Sequence, residues 1–384
     1  MSALYLHVPF CVRRCLYCDF YVVPLGTGPL PRRLRDFRHL HHRAFLKALE
    51  AECRALPADF RPKTLYIGGG TPTEMPADDL RRLLQILEDH INLSHVREFT
   101  IEANPGTLDE AITDVIRNSA IDRVSLGVQS FDNPTLERLG RIHDADEAFQ
   151  AVHLLRQADI RNISIDLLFA IPGADDAVIA TNLAALNELN PEHVSWYSLE
   201  FEPGTAFTEM RDKGFLTEPD DQQAHREYRH IRRGLREAGF QQYELFSFTR
   251  ARPCQHNINY WQGGEFLGVG PSAHSHQQAT RWANPADLTQ WTQSWLKNIP
   301  PPTQPETLSP LAKARERLMT QLRLTQGIHI ATFTEQTHHN PLDLIPPATR
   351  QQWAEQNLLL QSPTHLRLHP SAYLISDSLF REFF

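Results

Sequence analysis

The sequence predicts an α/β fold: an open, partial (β/α)6 barrel of TIM-like build, followed by a small C-terminal domain of winged-helix type. Three observations predict it. From the start to about residue 200, short β-rich runs alternate six times with amphipathic helical runs. The end of each of these strands carries a polar group or runs into a glycine or cysteine loop. Beyond them, a proline-rich stretch, Asn298-Ile-Pro-Pro-Pro-Thr-Gln-Pro305, precedes a tail with a different pattern.

The strand candidates are Ala3–Val8, Thr64–Gly68, Glu98–Ala103, Arg123–Val128, Asn162–Leu168 and His193–Leu199. Between them lie the helix candidates Phe37–Leu56, Ala77–Ile91, Leu108–Asn118, Ala145–Ala158 and Asp175–Leu189. Such alternation is satisfied by parallel strands with right-handed crossovers. Six units are too few for a closed eight-fold barrel, so the barrel stays open. After Phe201 come two helix candidates, Thr205–Lys213 and Asp220–Ala238, a strand candidate Tyr243–Phe248, and the glycine-rich run Leu267-Gly-Val-Gly-Pro-Ser-Ala-His274-Ser-His276. Residues 1–298 thus form the barrel with its extension, 299–308 a linker and 309–384 the small domain. In that last part we expect helices Pro310–Leu324, Ile330–Gln336 and Ala348–Gln356, a hairpin Leu358–Leu368 and a helix Leu374–Phe383. Its seven Lys/Arg against six Asp/Glu suit a lid or docking domain better than a DNA reader.

Charge and hydrophobic patterning exclude other classes. The net charge of the 384 residues is −8, which disfavours a nucleic-acid partner. No apolar run approaches the ~20 residues that span a bilayer, and no leader precedes the first strand, so a cytoplasmic, not membrane-spanning protein is expected. Five cysteines leave one over from any full set of disulfides. Most of the nineteen histidines are expected at the surface, among them His39, His41 and His42 on a polar helix face, and His338 with His339.

The first strand runs into Tyr5-Leu-His-Val-Pro-Phe-Cys11-Val-Arg-Arg-Cys15-Leu-Tyr-Cys18-Asp-Phe20, a Cys-x3-Cys-x2-Cys pattern. Three thiolates on one short loop can hold three irons of a cubane cluster and leave the fourth open. An open iron can chelate S-adenosylmethionine (SAM) through its amine and carboxylate. The alternatives are a zinc site, which wants four closed ligands, a disulfide framework, which suits secreted chains, and a buried structural trio.

Other strand ends add polar groups. Gly68-Gly69-Gly70-Thr71-Pro72 follows the second strand, and glycines let a backbone approach a ligand closely. Glu102 ends the third strand, Gln129 the fourth, and Asp166 lies in the fifth. With Arg141, these are candidates for the ribose, amino and carboxylate groups of SAM, since a carboxylate accepts ribose hydroxyls and Arg pairs bidentately with a carboxylate. They would otherwise be rim ion pairs, a backbone cap and a surface arginine. Tyr5 and Tyr17 flank the cysteines, against the cluster or adenine or in plain core packing. Ser195, Tyr197 and Glu200 lie at or near the end of the sixth strand. In His256-Asn257-x-x-Tyr260-Trp261 the histidine could serve as an axial ligand to heme iron or as a core residue beside aromatics. Cys254 and Cys53 read as buried apolar fillers.

Taken together, these blocks resemble the radical SAM superfamily and, within it, the family of oxygen-independent coproporphyrinogen III oxidase with its branch of heme chaperones. The likeness is carried by Tyr-x-His-x-Pro-Phe-Cys from Tyr5, Gly-Gly-Gly-Thr-Pro-Thr from Gly68, Glu-Ala-Asn-Pro-Gly from Glu102, Gly-Val-Gln-Ser-Phe from Gly127, Ile-Asp-Leu around Asp166 and His-Asn-x-x-Tyr-Trp from His256. It implies a radical SAM barrel, a 4Fe-4S cluster on Cys11, Cys15 and Cys18, and SAM against Gly70 and Thr71. Two features, with the His-Asn-x-x-Tyr-Trp motif, point to the chaperone branch. Phe20 stands where the oxidases carry a fourth cysteine, and the first strand begins at residue 3 without their longer leading segment. For that branch the resemblance implies heme bound per chain, with His256 the expected contributor, and its transfer to membrane-associated respiratory hemoproteins by a monomer or homodimer. Such a chain is a carrier on an enzyme scaffold. The alternative is the oxidase itself, which decarboxylates porphyrinogen propionates oxidatively. The stretch Gly26–His42 looks longer than the family usually has there.

Overall fold

The structure is a computed structural model that describes residues 2–26 and 32–383, with the side chains of 32–39 and 383 outside the description. Of the expected insertion Gly26–His42, residues 27–31 lie outside the described residues, as do the side chains of 32–39, His39 among them.

Six parallel strands, β1 (Ser2–Val8), β2 (Thr64–Gly69), β3 (Glu98–Ala103), β4 (Arg123–Gln129), β5 (Ile163–Phe169) and β6 (His193–Ser198), lie side by side in chain order. Helices connect them: α1 (Arg32–Arg54), α2 (Ala77–His90), α3 (Glu110–Arg117), α4 (Asn133–Leu139) with α5 (Ala145–Gln157), and α6 (Asp176–Leu189). This is the expected partial barrel. Helices α3 to α6 each start where an aspartate can hold a free backbone N–H. Asp109 accepts from Ile112, Asp132 from Thr135, and Asp144 forms a reciprocal capping box with Glu147. Gly140, at φ 74°, and Asn190, at φ 49°, end α4 and α6 in the left-handed conformation.

Side chains of a strand alternate between its two faces, and here the two faces differ in kind. Leu4 and Leu6, Leu65 and Ile67, Val124 and Leu126, Ile163 and Ile165 are fully buried in the apolar core. The intervening residues are polar: Tyr5 and His7, Thr64 and Tyr66, Arg123 and Ser125, Ser164 and Asp166. Cross-strand register aligns Glu102 with Ser125 and Ser125 with Ser164, then Gly127 with Asp166 and Asp166 with Ser195. Closed barrels of this build fill the interior with branched apolar side chains. This one keeps polar groups there, which need partners or a ligand.

The extension differs from expectation. After α7 (Ala206–Asp212) and α8 (Asp221–Glu237), the strand expected over Tyr243–Phe248 is instead two short strands, β7 (Gln241–Gln242) and β8 (Ser247–Thr249), which pair antiparallel. The chain between them turns away at Glu244, which bridges to Leu324. The His-Asn-x-x-Tyr-Trp segment is α9 (Gln255–Trp261). The glycine-rich run contributes β9 (Glu265–Val269), which adds to β1 in parallel, and β10 (His274–Gln277), which pairs with β11 (Thr280–Ala283). After α10 (Leu288–Leu296), the proline-rich segment ends in β12 (Glu306–Thr307), paired with Thr280 and Arg281. The sheet thus reads β12-β11-β10-β9-β1-β2-β3-β4-β5-β6-β8-β7.

The tail holds α11 (Pro310–Leu322), β13 (Ile328–His329), α12 (Ile330–Thr337), α13 (Pro347–Glu355) and a hairpin of β14 (Leu359–Gln361) and β15 (His365–Leu368), with β13 on its far edge. This is the helix-and-wing order expected. The last expected helix is a 3-10 turn, Pro370–Ile375, followed by α14 (Ser376–Phe380). His42 corrects a surface reading. It is fully buried, its ring meets Phe10 at 4.6 Å between centroids, and its Nδ1 lies 3.2 Å from Asp79. Helix periodicity turns it inward although its neighbours are polar.

Candidate functional site

The cysteine loop leaves β1 at Val8 and returns as a two-residue ladder, Phe10–Cys11 beside Val23–Pro24. Cys11, Cys15 and Cys18 are all free thiols, half-buried, and all line one cavity of about 460 Å³ at the C-terminal ends of the strands. Cys11 Sγ lies 3.5 Å from Thr71 Oγ1, and Arg141 donates to Cys15 Sγ at 3.2 Å. Burial pushes Cys11 up to about 11 and Cys18 upward, so these two thiols stay protonated when bare. A bound cation reverses that. Among the described residues no three His, Cys, Asp or Glu side chains converge on a single ion. The three thiols are instead spread around a roomy pocket, and this donor set fits a polynuclear iron–sulfur group better than a closed zinc site.

The same cavity gathers most of the expected SAM residues: Tyr17, Gly70, Thr71, Glu102, Gln129, Arg141 and Asp166, together with Ser195, Tyr197 and Glu200. The glycine loop is shaped for this place. A Cβ on Gly68 would lie 2.7 Å from the Glu102 carboxyl carbon, and Gly69 has φ +108°. Glu102 accepts from Tyr66 Oη at 2.8 Å and from the Gly69 N–H at 3.0 Å. Burial lifts its carboxyl to about 7. Asp166 accepts from Ser125 at 2.8 Å and Ser164 at 3.2 Å, with burial again raising its carboxyl. Gln129 sits at φ 72° beside a register shift in β4. Non-glycine residues rarely adopt that backbone, and it re-aims the side chain at the strand's end. Arg141 reaches over to the Gly127 carbonyl as well as to Cys15, while its Nε is buried without a partner.

A second cavity of about 710 Å³ opens on the other side of Glu102. Asp19, Phe20, Tyr66, Gly69, Glu102, Tyr197 and Asn257 line both cavities. The rest of its wall is aromatic and histidine-rich, with Tyr260, Trp261 and Phe266 from α9 and β9 and the face of α11 opposite. Tyr5 lines this cavity, beside the shared wall of Tyr66 and Glu102, with its hydroxyl 3.0 Å from His7 Nδ1. The alternation of β1 explains this, since Tyr5 and His7 face the interior short of the strand's end.

His256 is buried in the wall. Its Nδ1 is 2.9 Å from Thr64 Oγ1 and its Nε2 is 2.8 Å from Tyr260 Oη. Glu98 fixes the start of α9 by accepting from the His256 and Gln255 N–H groups, each at 3.0 Å. Burial lowers the imidazole to about 3. A metal can reach this ring only after one of its two hydrogen bonds breaks. Cys254 and Cys53 are buried as expected, and Cys254 points at Glu98. Tyr66, Arg123 and Ser125 line the first cavity, and His7, His274, His276, Lys313 and Arg317 the second, without having been singled out. The signal available for the strand residues was polarity at every second position.

A partial barrel with three thiols at its strand ends and a polar interior is the architecture of a radical SAM protein. Residues 5–183 match the Radical SAM superfamily and residues 308–375 the HemN C-terminal domain. The chain is 35% identical to heme chaperone HemW of Escherichia coli K12 over 71% of this chain and 69% of that one. It is 33% identical to heme chaperone HemW of Mycobacterium tuberculosis H37Rv over 85% and 83%, and 29% identical to that of Bacillus subtilis over 100% and 99%. The chain belongs to the HemW family. Its fold is also that of coproporphyrinogen III oxidase (HemN) from Escherichia coli, with a TM-score of 0.82 at 22% identity over 100% of this chain and 89% of that one. Membership of the superfamily implies a 4Fe-4S cluster and SAM.

Proposed function

We propose that this chain is a heme chaperone: it binds heme in the larger cavity, beside a 4Fe-4S cluster and SAM, and passes heme to respiratory hemoproteins. The observation that carries the reading is the pair of cavities with a common wall. One presents three free thiols and the polar strand ends. The other is aromatic, histidine-lined and, at about 710 Å³, within the usual range of cofactor pockets.

In this reading Cys11, Cys15 and Cys18 hold the cluster, whose open iron chelates SAM. Gly70 and Thr71 approach the SAM amino end. Glu102 and Asp166 accept from hydroxyl or ammonium donors, Gln129 adds an amide, and Arg141 balances the negative charge of the thiolates. Tyr17 packs against the bound groups. His256 contributes to the heme cavity as a wall residue. The oxygen-sensitive cluster and the free thiols support a reducing, cytoplasmic setting. No helix of the described residues is long and apolar enough to cross a membrane, so delivery to membrane-bound recipients goes through contact with the recipient protein. The net charge of −8 supports protein partners over nucleic acid. The chain acts as a monomer or homodimer.

The test is anaerobic reconstitution with iron and sulfide, followed by heme titration and a coproporphyrinogen turnover assay on the same samples. Stoichiometric heme binding without protoporphyrinogen formation supports the chaperone. Turnover without stable heme binding replaces it with the oxidase.

A further inference from the structure

Four histidines line the larger cavity: His7, His256, His274 and His276. They are not equally free to bind iron. His7 has Nδ1 on the Tyr5 hydroxyl at 3.0 Å and Nε2 on the Tyr21 carbonyl at 2.9 Å. His256 has both nitrogens on hydroxyls. His276 is nine-tenths buried, and its Nε2 is enclosed without a partner. His274 lies two residues earlier on the same face of β10 and is exposed to the cavity mouth. Among the described residues nothing holds either of its ring nitrogens.

The opposite wall is α11. Lys313, Glu316, Arg317 and Thr320 fall on one helical face and line the cavity. Glu316 is paired with Arg281 at 3.2 Å. Among the described residues Lys313 donates to the Gln278 carbonyl and has no carboxylate partner, which leaves its charge unbalanced. Arg317 is half-buried, and among the described residues it has no carboxylate partner. Its Nε is buried without a hydrogen bond. A half-buried guanidinium without an anion is unfavourable, and it faces a cavity otherwise walled by aromatic rings. Two cations one helical turn apart stand about 5–6 Å apart at their Cβ atoms. That spacing matches a ligand with two carboxylates on one edge of a flat apolar body.

We propose that heme lies between β10 and α11, with His274 as the protein ligand to its iron and with Arg317 and Lys313 pairing its two propionates. The proposal rests on the heme reading above. His256 then shapes the pocket through Tyr260 and Thr64 and does not touch the metal.

Heme and heme dimethyl ester are titrated into the full-length protein, wild type and the variants His274→Ala, His256→Ala, His276→Ala and Arg317→Ala. Ligation is read by the Soret band and by magnetic circular dichroism. His274→Ala is expected to lose the imidazole-ligation signature and to regain it on adding free imidazole, while His256→Ala and His276→Ala keep it. Arg317→Ala is expected to weaken heme about tenfold or more, as loss of a charge-assisted pair does, and to leave the dimethyl ester unchanged. The ester, which forfeits both propionate pairs, should bind wild type more weakly still than heme binds Arg317→Ala, where the Lys313 pair remains. The iron assignment is overturned if His274→Ala keeps the signature or if His256→Ala loses it beyond rescue. The propionate clamp is overturned if the ester binds wild type as tightly as heme does. Absence of heme binding by the wild type sinks the chaperone reading itself, and this proposal with it.

Discussion

Glu102 stands between the two cavities, and burial lifts its carboxyl to about 7. If it accepts the ribose hydroxyls of SAM, binding favours the ionised form and expels a proton. SAM affinity should then rise with pH from about 6 to about 8, by at most about tenfold per unit, and level off above. Glu102→Gln should flatten the profile, and a pH-independent affinity in the wild type, measured by calorimetry, would refute the role. Gly68 is the second residue to probe. Its added Cβ would press on that carboxyl at 2.7 Å. Gly68→Ala should destabilise the protein by about 1–3 kcal/mol, the usual effect of overpacking, and weaken SAM binding; thermal melts with and without SAM would show both. Glu102 and Gln129 were legible because each stands at or next to a strand's C-terminal end, and Asp166 because it is the one carboxylate in the apolar run Ile163–Phe169. Tyr66, Arg123 and Ser125 were not, because they sit at the start or in the middle of their strands, where polar residues resemble ordinary alternation until the barrel interior is known. The left-handed backbone of Gln129 carries no mark in the sequence, since glutamine is not a residue chosen for it.

At the scale of elements, α1 controls the extension through one side chain. The Glu52 carboxylate accepts from the Gly270 N–H at 2.7 Å, Asn284 Nδ2 at 2.7 Å and Trp291 Nε1 at 3.1 Å. It thereby fixes the end of β9, the end of β11 and α10 against one helix. Glu52→Ala strands three buried donors and should destabilise the protein by about 3–5 kcal/mol, the range for a broken buried network. Glu52→Gln keeps an acceptor and should lose less in thermal denaturation. Burial raises the Glu52 carboxyl from an ordinary 4.5 to about 7. The folded protein therefore holds a proton that the unfolded chain releases at lower pH, so stability falls as pH rises between about 4.5 and about 7. Glu102 acts in the same direction. Glu52→Gln should reduce that slope, and an unchanged slope would rule the group out. The six barrel strands and their helices were legible because two periodicities alternate with turns between them. The strands β9–β12 were masked because each is only two to five residues long and set among glycine and proline turns, and they form where a neighbouring strand offers hydrogen bonds.

For the whole molecule, the common wall makes the two cavities energetically dependent. A ligand that orders Phe20, Tyr66 or Glu102 from one side changes what the other side meets. SAM should alter heme affinity, and heme must then alter SAM affinity by the same factor. Paired titrations on reconstituted protein would show this, and equal heme affinity with and without SAM would deny it. The tail's element order was legible from its helical runs and hairpin. That α11 closes the larger cavity was not, because its Lys313, Arg317 and Thr320 face reads as solvated until a partner surface is known. The strand order has one more consequence. Its outermost members, Gln241–Gln242 and Glu306–Thr307, are two polar residues each, and the second follows a run of prolines. A sheet grows by recruiting a foreign strand along a free edge, and such stubs give little to pair with. Crowded copies of this protein are thus steered away from fibrous growth along the large sheet, and the only other edges among the described strands of the tail, Ile328–His329 and Leu359–Gln361, are two and three residues long.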